Sequence, residues 1–394
     1  MKRVYMDYAA TTPVMPEVIE AMSPYFHDKF GNPSSIHSMG QEGRDAVEKA
    51  RGQVASLIRC QPEEVVFTGC GTEADNHAIK GVAFANREKG NHIITTTIEH
   101  HAVLYTCEFI KSMGFDVTFV PVDKYGMVDP RDVKKAITKK TLLVSVMHAN
   151  NEVGTIQPIE EIGKITREAG VYFHVDAVQT FGHLPIDVDK LGIDFLSASA
   201  HKLYGPKGVG MLYIRPGSSI VPLLHGGEQE EGRRAGTENV PGITGFGKAA
   251  EIAQQDMQKE AVALTGYRKK MIESILGNVG DTYLNGHPQI RLPNNVNFSF
   301  DFIEGESILM YLDAEGICAS TGSACSSASS EPSHVLTAMG IPVERARGSL
   351  RLTMGRWTTQ DDIDKVVEAL PRIVAKLREM SPLVKEKCGW INYL

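Results

Sequence analysis

Seven short apolar runs recur between residues 64 and 214, at 64–68, 92–97, 117–120, 142–147, 171–175, 194–197 and 209–214, and helical patterns separate them. One such pattern spaces Ile159, Ile162 and Ile165 three residues apart. An apolar run without polar alternation suits a strand buried on both faces. When such strands alternate with helices, each helix carries the chain back so that the next strand runs in the same direction. The order predicts an α/β chain whose mostly parallel sheet has helices on both faces. Ligands on such sheets bind beyond the carboxyl ends of the strands, so the loops that follow the runs are where function is sought.

Flanking regions differ. A turn cluster, Gly31-Asn32-Pro33-Ser34-Ser35, precedes a helical pattern over 40–58, and another long helical pattern covers 245–270. Strand-like 295–300, helical 306–312, strand-like 350–354 and helical 361–380 then form a smaller α+β unit. The expected division is a large domain at 15–255 and a small one built from 1–14 and 256–394. A chain of 394 residues is long enough for both.

A net charge of −7 exerts no long-range pull on polyanions, so neither nucleic acid nor an anionic membrane surface is an expected partner. No run of about 18 apolar residues is present to span a bilayer. Acidic Asp7 interrupts the start before a signal-peptide core could form, and a cytoplasmic location is expected. Six cysteines, at 60, 70, 107, 318, 325 and 388, include no C-x-x-C pair, which argues against a zinc ribbon and for free thiols.

Chemistry concentrates in the loops. Ser197-Ala198-Ser199-Ala200-His201-Lys202 leads into Gly205-Pro206. An amine among small residues at a strand end can shed water and attack a carbonyl, as a Schiff-base lysine does. A lone lysine is more commonly a solvated surface group, so the reading depends on companions. Gly69-Cys70-Gly71-Thr72 opens a helix expected from about residue 75, which could cradle a phosphate or merely form a capped turn. His100 and His101 follow the second run, without the spacing of a metal-binding helix, and Asn150-Asn151 follow the fourth. Asp176, at the end of a buried run, needs a positive partner, which a salt bridge or a protonated pyridine nitrogen would provide. A phosphate cradle, a flat aromatic, an amide pair, an aspartate and a lysine on successive strand ends are together the parts that pyridoxal phosphate requires.

These stretches resemble the cysteine desulfurases of the NifS/IscS type, in the class V branch of fold-type I pyridoxal-phosphate enzymes. The likeness also includes residues 5–13, Arg234-Ala235-Gly236-Thr237-Glu238-Asn239, Gly322-Ser323-Ala324-Cys325 and Gly355-Arg356-Trp357. It implies a fold-type I transferase with a seven-stranded sheet, pyridoxal 5′-phosphate as cofactor, no metal, and a homodimer with shared sites. Lys202 would bond the cofactor, Asp176 meet its ring nitrogen, Gln179 donate to its ring oxygen and His100 stack on the ring. Gly71, Thr72, Ser199 and His201 would hold the phosphate, with Thr237 reaching in from the other subunit. Asn32, Asn151 and Arg351 would face L-cysteine, the arginine through its carboxylate, with Asn151 touching the cofactor as well. Cys325, in a loop at about 321–332 made almost wholly of Gly, Ser and Ala, would be a travelling thiol. It would take sulfur as a persulfide, release L-alanine and serve an iron–sulfur scaffold or other acceptor protein. Selenocysteine lyase, or another class V enzyme, is the alternative on the same scaffold. Thr321 and His101 depart from the family pattern, where serine and lysine are common.

Overall fold

The computed structural model describes residues 3–322 and 332–382. Cys325 and the carboxyl tail lie outside the described residues. The chain enters through a two-residue strand, β1 (Val4–Tyr5), and then lays down β2 (Val65–Thr68), β3 (His92–Thr96), β4 (Asp116–Val120), β5 (Thr141–Met147), β6 (Tyr172–Asp176), β7 (Phe195–Ser199) and β8 (Gly210–Ile214). Strands β2 to β8 correspond to the seven apolar runs and form one sheet in the order β2-β8-β7-β6-β5-β3-β4. All neighbours are parallel except β8, which runs antiparallel to both β2 and β7. Because β8 alone is reversed, β2 and β7 point the same way, and the loops after Thr68 and Ser199 open on one rim.

Alternate residues of each strand feed opposite layers. Val65 and Phe67 join an apolar cluster with the helix Ser38–Ile58, whereas Val66 between them packs with the helices Gly71–Ala85 and His101–Ser112. This two-sided cover explains why the strands read as continuous apolar runs. A third cluster gathers around β9 (Thr282–Leu284), β10 (Asn295–Phe300), β11 (Ile317–Cys318) and β12 (Ser349–Thr353), covered by the helix Gln360–Met380. Strand β1 pairs in parallel with β11, and β10 is central in the antiparallel order β12-β10-β9. The helix Val240–Asn278 supplies Ile243 and Phe246 to the first cluster, and Leu264, Met271 and Ile275 to the third. Among the described residues no helix is long and apolar enough to cross a membrane.

Candidate active site

The loops after β2, β3, β5, β6 and β7 surround a cavity of about 280 Å³. Ten of the expected site residues line it: Gly71, Thr72, His100, Asn151, Asp176, Gln179, Ser199, His201, Lys202 and Arg351. A larger cavity of about 370 Å³ lies beside Arg51 and Glu230. There Arg51 donates to both Glu230 oxygens at 2.7 and 3.0 Å.

Lys202 stands at the end of the short 3₁₀ turn Ala200–Lys202, directly after β7. Its Nζ donates to the carbonyl oxygens of Ala9 and Ala10 at 2.5 and 2.8 Å. Gln179 Nε2 donates to the same Ala9 oxygen at 3.1 Å. His201 Nδ1 lies 3.1 Å from Thr11 Oγ1, so the amino-terminal stretch forms one wall. Burial and the Lys202 charge lower His201 to about 4, and burial with Lys202, His101 and His334 lowers His100 to about 4. Both rings are therefore neutral at pH 7. His100 caps its own helix by accepting from Ala102 N–H at 3.1 Å through Nδ1.

Asp176 ends β6 as a buried carboxylate, its Oδ1 accepting from Val178 N–H at 2.9 Å. Burial raises it to about 6, against the opposing pull of that N–H and of Lys202. A second carboxyl, Asp75, is 1% exposed, and its Oδ1 makes no hydrogen bond. Burial and Asp176 push Asp75 well above the carboxylate range. His174 Nε2 lies 3.6 Å from Asp75 and 2.9 Å from Ser197 Oγ, and burial holds this histidine down to about 3. Close behind, Glu99 accepts from Thr96 Oγ1 and Met147 N–H. Two buried carboxyls with so few donors constitute a site that favours a cation in front of Asp176.

The opposite end suits an anion. The helix begins at Gly71 rather than near residue 75, and the glycine makes a close approach: a Cβ there would lie 2.6 Å from Val178 Cγ2. Gly71 and Thr72, in its first turn, line the cavity, and the amino terminus of a helix favours an anion. Ser199 Oγ is buried without a partner, and Thr72 is exposed beside it. Glu73 would oppose an anion at this terminus, but it is paired with Arg234 at 2.9 Å. An orphaned hydroxyl, a free helix terminus, an aspartate in need of a cation and a lysine between them fit pyridoxal phosphate in size and in chemistry.

Arg351, on β12, is 3% exposed; its Nη2 contacts Asp7 Oδ1 at 2.9 Å and its Nη1 the Asn151 carbonyl at 3.0 Å. Its Nε has no partner. Asn150 serves the turn, holding Ile98 O and the N–H groups of Glu152 and Val153, while Asn151 lines the cavity. Asn32 and Thr237 are exposed and stand away from this cavity, and Asn32 caps its own turn at Ser34 N–H. Cys325 falls outside the described residues.

Sequence reasoning passed over Asp75, Glu99, His174 and Asp7. Two of these carry a local signal. Asp75 follows Gly71 by four residues, one helical turn on, and His174 precedes Asp176 by two, on the same strand face.

Comparison with known proteins places the chain in a well-populated group. The family model described as Aminotransferase class-V matches residues 4–366. Cysteine desulfurase IscS of Dictyoglomus turgidum is 57% identical over 387 residues, covering 98% of each chain. A solved structure described as a NifS-like protein superposes with a TM-score of 0.90 at 40% identity, over 95% of this chain and 100% of the other. Another, SspA in complex with cysteine, gives a TM-score of 0.80 at 39% identity, over 91% of this chain and 100% of its own.

Proposed function

The chain belongs to the class-V aminotransferase family and, within it, to the cysteine desulfurases, and from that premise we propose that it uses pyridoxal phosphate to move sulfur from L-cysteine onto Cys325. The carrying observation is that Asp176, at the end of β6, and Lys202, in the turn directly after neighbouring β7, share one cavity with an orphaned serine hydroxyl and a buried arginine.

Pyridoxal phosphate, when bound, supplies a carbonyl for amine exchange and an electron sink for the charge left when a Cα–H bond breaks. Asp176 would hold the ring nitrogen, and Ser199 with the Gly71 helix terminus would hold the phosphate. Arg351 and Asn151 orient the substrate carboxylate, and the Asp7 and Asn151 oxygens fix the guanidinium plane. Lys202, as a free amine, would take the α-proton, and neutral His100, which lines the same cavity, would relay protons beside it. The Cys325 thiolate attacks the substrate sulfur and forms an S–S bond. The Cβ–S electron pair stays with Cβ, which takes a proton, the α-proton returns from Lys202 to Cα, and the product leaves as L-alanine. The persulfide then passes to an acceptor protein, of which an iron–sulfur scaffold is the proposed example.

The exposure of Thr237, and of Phe26 at 68% and Ile36 at 93%, supports a homodimer in which Thr237 and Asn32 complete the partner's cavity. Cys60, Cys70, Cys107 and Cys318 are free thiols, which accords with a reducing cytoplasm.

Incubation of the cofactor-loaded protein with L-cysteine tests the reading. Alanine is expected in step with sulfur release, together with a mass gain of one sulfur atom on the peptide bearing Cys325. Cys325→Ala should retain the yellow colour of the bound cofactor and form no persulfide. Undiminished sulfur release from that variant would refute the assignment.

A further inference from the structure

Glu152 has no role in the chemistry above, yet the structure invests heavily in its position. Its N–H is held by Asn150 Oδ1 at 2.9 Å, and its carbonyl accepts from Asn295 and Asn297 at 3.2 and 3.1 Å, two amides on β10. The side chain is buried, and one of its oxygens, Oε2, is where two distant pieces of chain meet. Ser333 Oγ lies 2.5 Å from it. That hydroxyl also accepts from Leu336 N–H at 3.3 Å as the cap of the helix His334–Ala338, so its proton is directed to Glu152. Gly322 backs onto the same oxygen, and a Cβ at 322 would lie 2.5 Å from it. His334 then fixes the second piece again, through Nε2 at 2.9 Å from the Glu99 carbonyl and a ring contact of 4.7 Å with His101.

Residues 322 and 333 flank the stretch of sequence that contains Cys325. We propose that Glu152 is a positioning residue for the Cys325 reaction, its carboxylate hydrogen-bonded to Ser333 on one side of the thiol-bearing stretch and packed against Gly322 on the other. The inference rests on the desulfurase reading and adds to it a residue that touches neither substrate nor cofactor. Asn151, next in the chain, lines the cavity and holds Arg351 through its carbonyl, so the same turn registers the substrate site against both anchors. Holding a residue next to a reacting group in one place lowers the entropy lost when that group must meet its target atom. A loosened anchor therefore slows thiol attack without weakening capture of cysteine.

The test uses the full-length holoenzyme and compares Glu152→Ala, Glu152→Gln, Ser333→Ala and the double alanine variant in single turnovers with L-cysteine. Glu152→Ala should slow persulfide formation on Cys325 by about tenfold or more while KM for cysteine stays within about twofold. Glu152→Gln should recover most of the rate, because its amide oxygen accepts the Ser333 hydroxyl in the same place. The double variant should be no slower than Glu152→Ala, as expected of two groups in one contact. In the cofactor-free protein, iodoacetamide should label Cys325 faster in Glu152→Ala than in the wild type, read by peptide mass. Should Glu152→Ala fail to fold, Ser333→Ala carries the comparison. A wild-type rate in the alanine variants, or equal losses in Glu152→Ala and Glu152→Gln, overturns the proposal. A wild-type protein that forms no persulfide on Cys325 overturns the desulfurase reading itself, and this inference with it.

Discussion

Lys202 Nζ and Gln179 Nε2 donate to one oxygen, the carbonyl of Ala9, at 2.5 and 3.1 Å. The lysine comes from the end of β7 and the glutamine from the loop after β6, while Ala9 belongs to the amino-terminal stretch just beyond β1. Three separate parts of the chain thus define where the amine waits. A ligand that bonds to Lys202 must draw Nζ off two backbone carbonyls.

Replacing Lys202 with alanine should abolish turnover, by about a thousandfold or more, and leave no lysine adduct after borohydride reduction. The fold should persist, since Ala9 and Ala10 lose only a side-chain donor at a cavity wall. Reductive labelling followed by peptide mapping is the check, and label that still lands in the 200–210 peptide would count against the role.

Glu99 predicts an unusual pH dependence. Burial raises its carboxyl from 4.5 to about 8, although the Thr96 hydroxyl and the Met147 N–H both favour the ion. The native state therefore keeps a proton that the unfolded chain has already released, and stability falls as pH climbs through that window. Asp176, raised to about 6, acts in the same direction at lower pH, and Asp75, also raised, acts in that direction too. Glu99→Gln should flatten the fall and be more stable than the wild type above the window, by on the order of 2 kcal/mol. Urea unfolding of the cofactor-free protein at both ends of the window measures it. Superimposable pH profiles would remove Glu99 as the source.

Arg351→Lys tests recognition of the substrate carboxylate. A lysine at this place on β12 keeps the charge but loses the planar fork that Asp7 and Asn151 align. KM for cysteine should rise by about tenfold or more, with kcat changed much less. Steady-state kinetics decides it, and an unaltered KM would place the carboxylate elsewhere.

Gly71→Ala addresses the anion end. The added methyl meets Val178 Cγ2 at 2.6 Å, a short branched side chain with little freedom to retreat, so the helix terminus must shift. Affinity of the cofactor-free protein for pyridoxal phosphate should drop by about tenfold or more while the helical circular dichroism is retained. Equal affinity in a fluorescence titration would show that this terminus does not hold the phosphate.

The comparison of sequence with structure is uneven for physical reasons. The seven strands were legible because burial on both faces leaves unbroken apolar runs, and the loops at their ends followed from chain direction. The reversal of β8 was not, since an apolar run reads alike in either direction. Asp75 and His174 were within reach of simple spacing arguments, at one helical turn from Gly71 and two residues from Asp176. Asp7 was not, for its partner Arg351 is 344 residues away and no local pattern links them. Thr237 and Asn32 mark another boundary. The resemblance gives Thr237 to the other subunit's site, whereas the turn motif around Asn32 carries no sign of which subunit it serves.

The helix Val240–Asn278 has 39 residues, about 58 Å of rod. Its first turns are buried with the large sheet, and its later turns with β10 and β12. A helix in isolation draws little stability from its own hydrogen bonds and depends on what its apolar side chains touch. Losing either cluster would strip half the rod of its support and transmit the loss to the other half. Heating should therefore melt both apolar clusters together, in a single calorimetric peak.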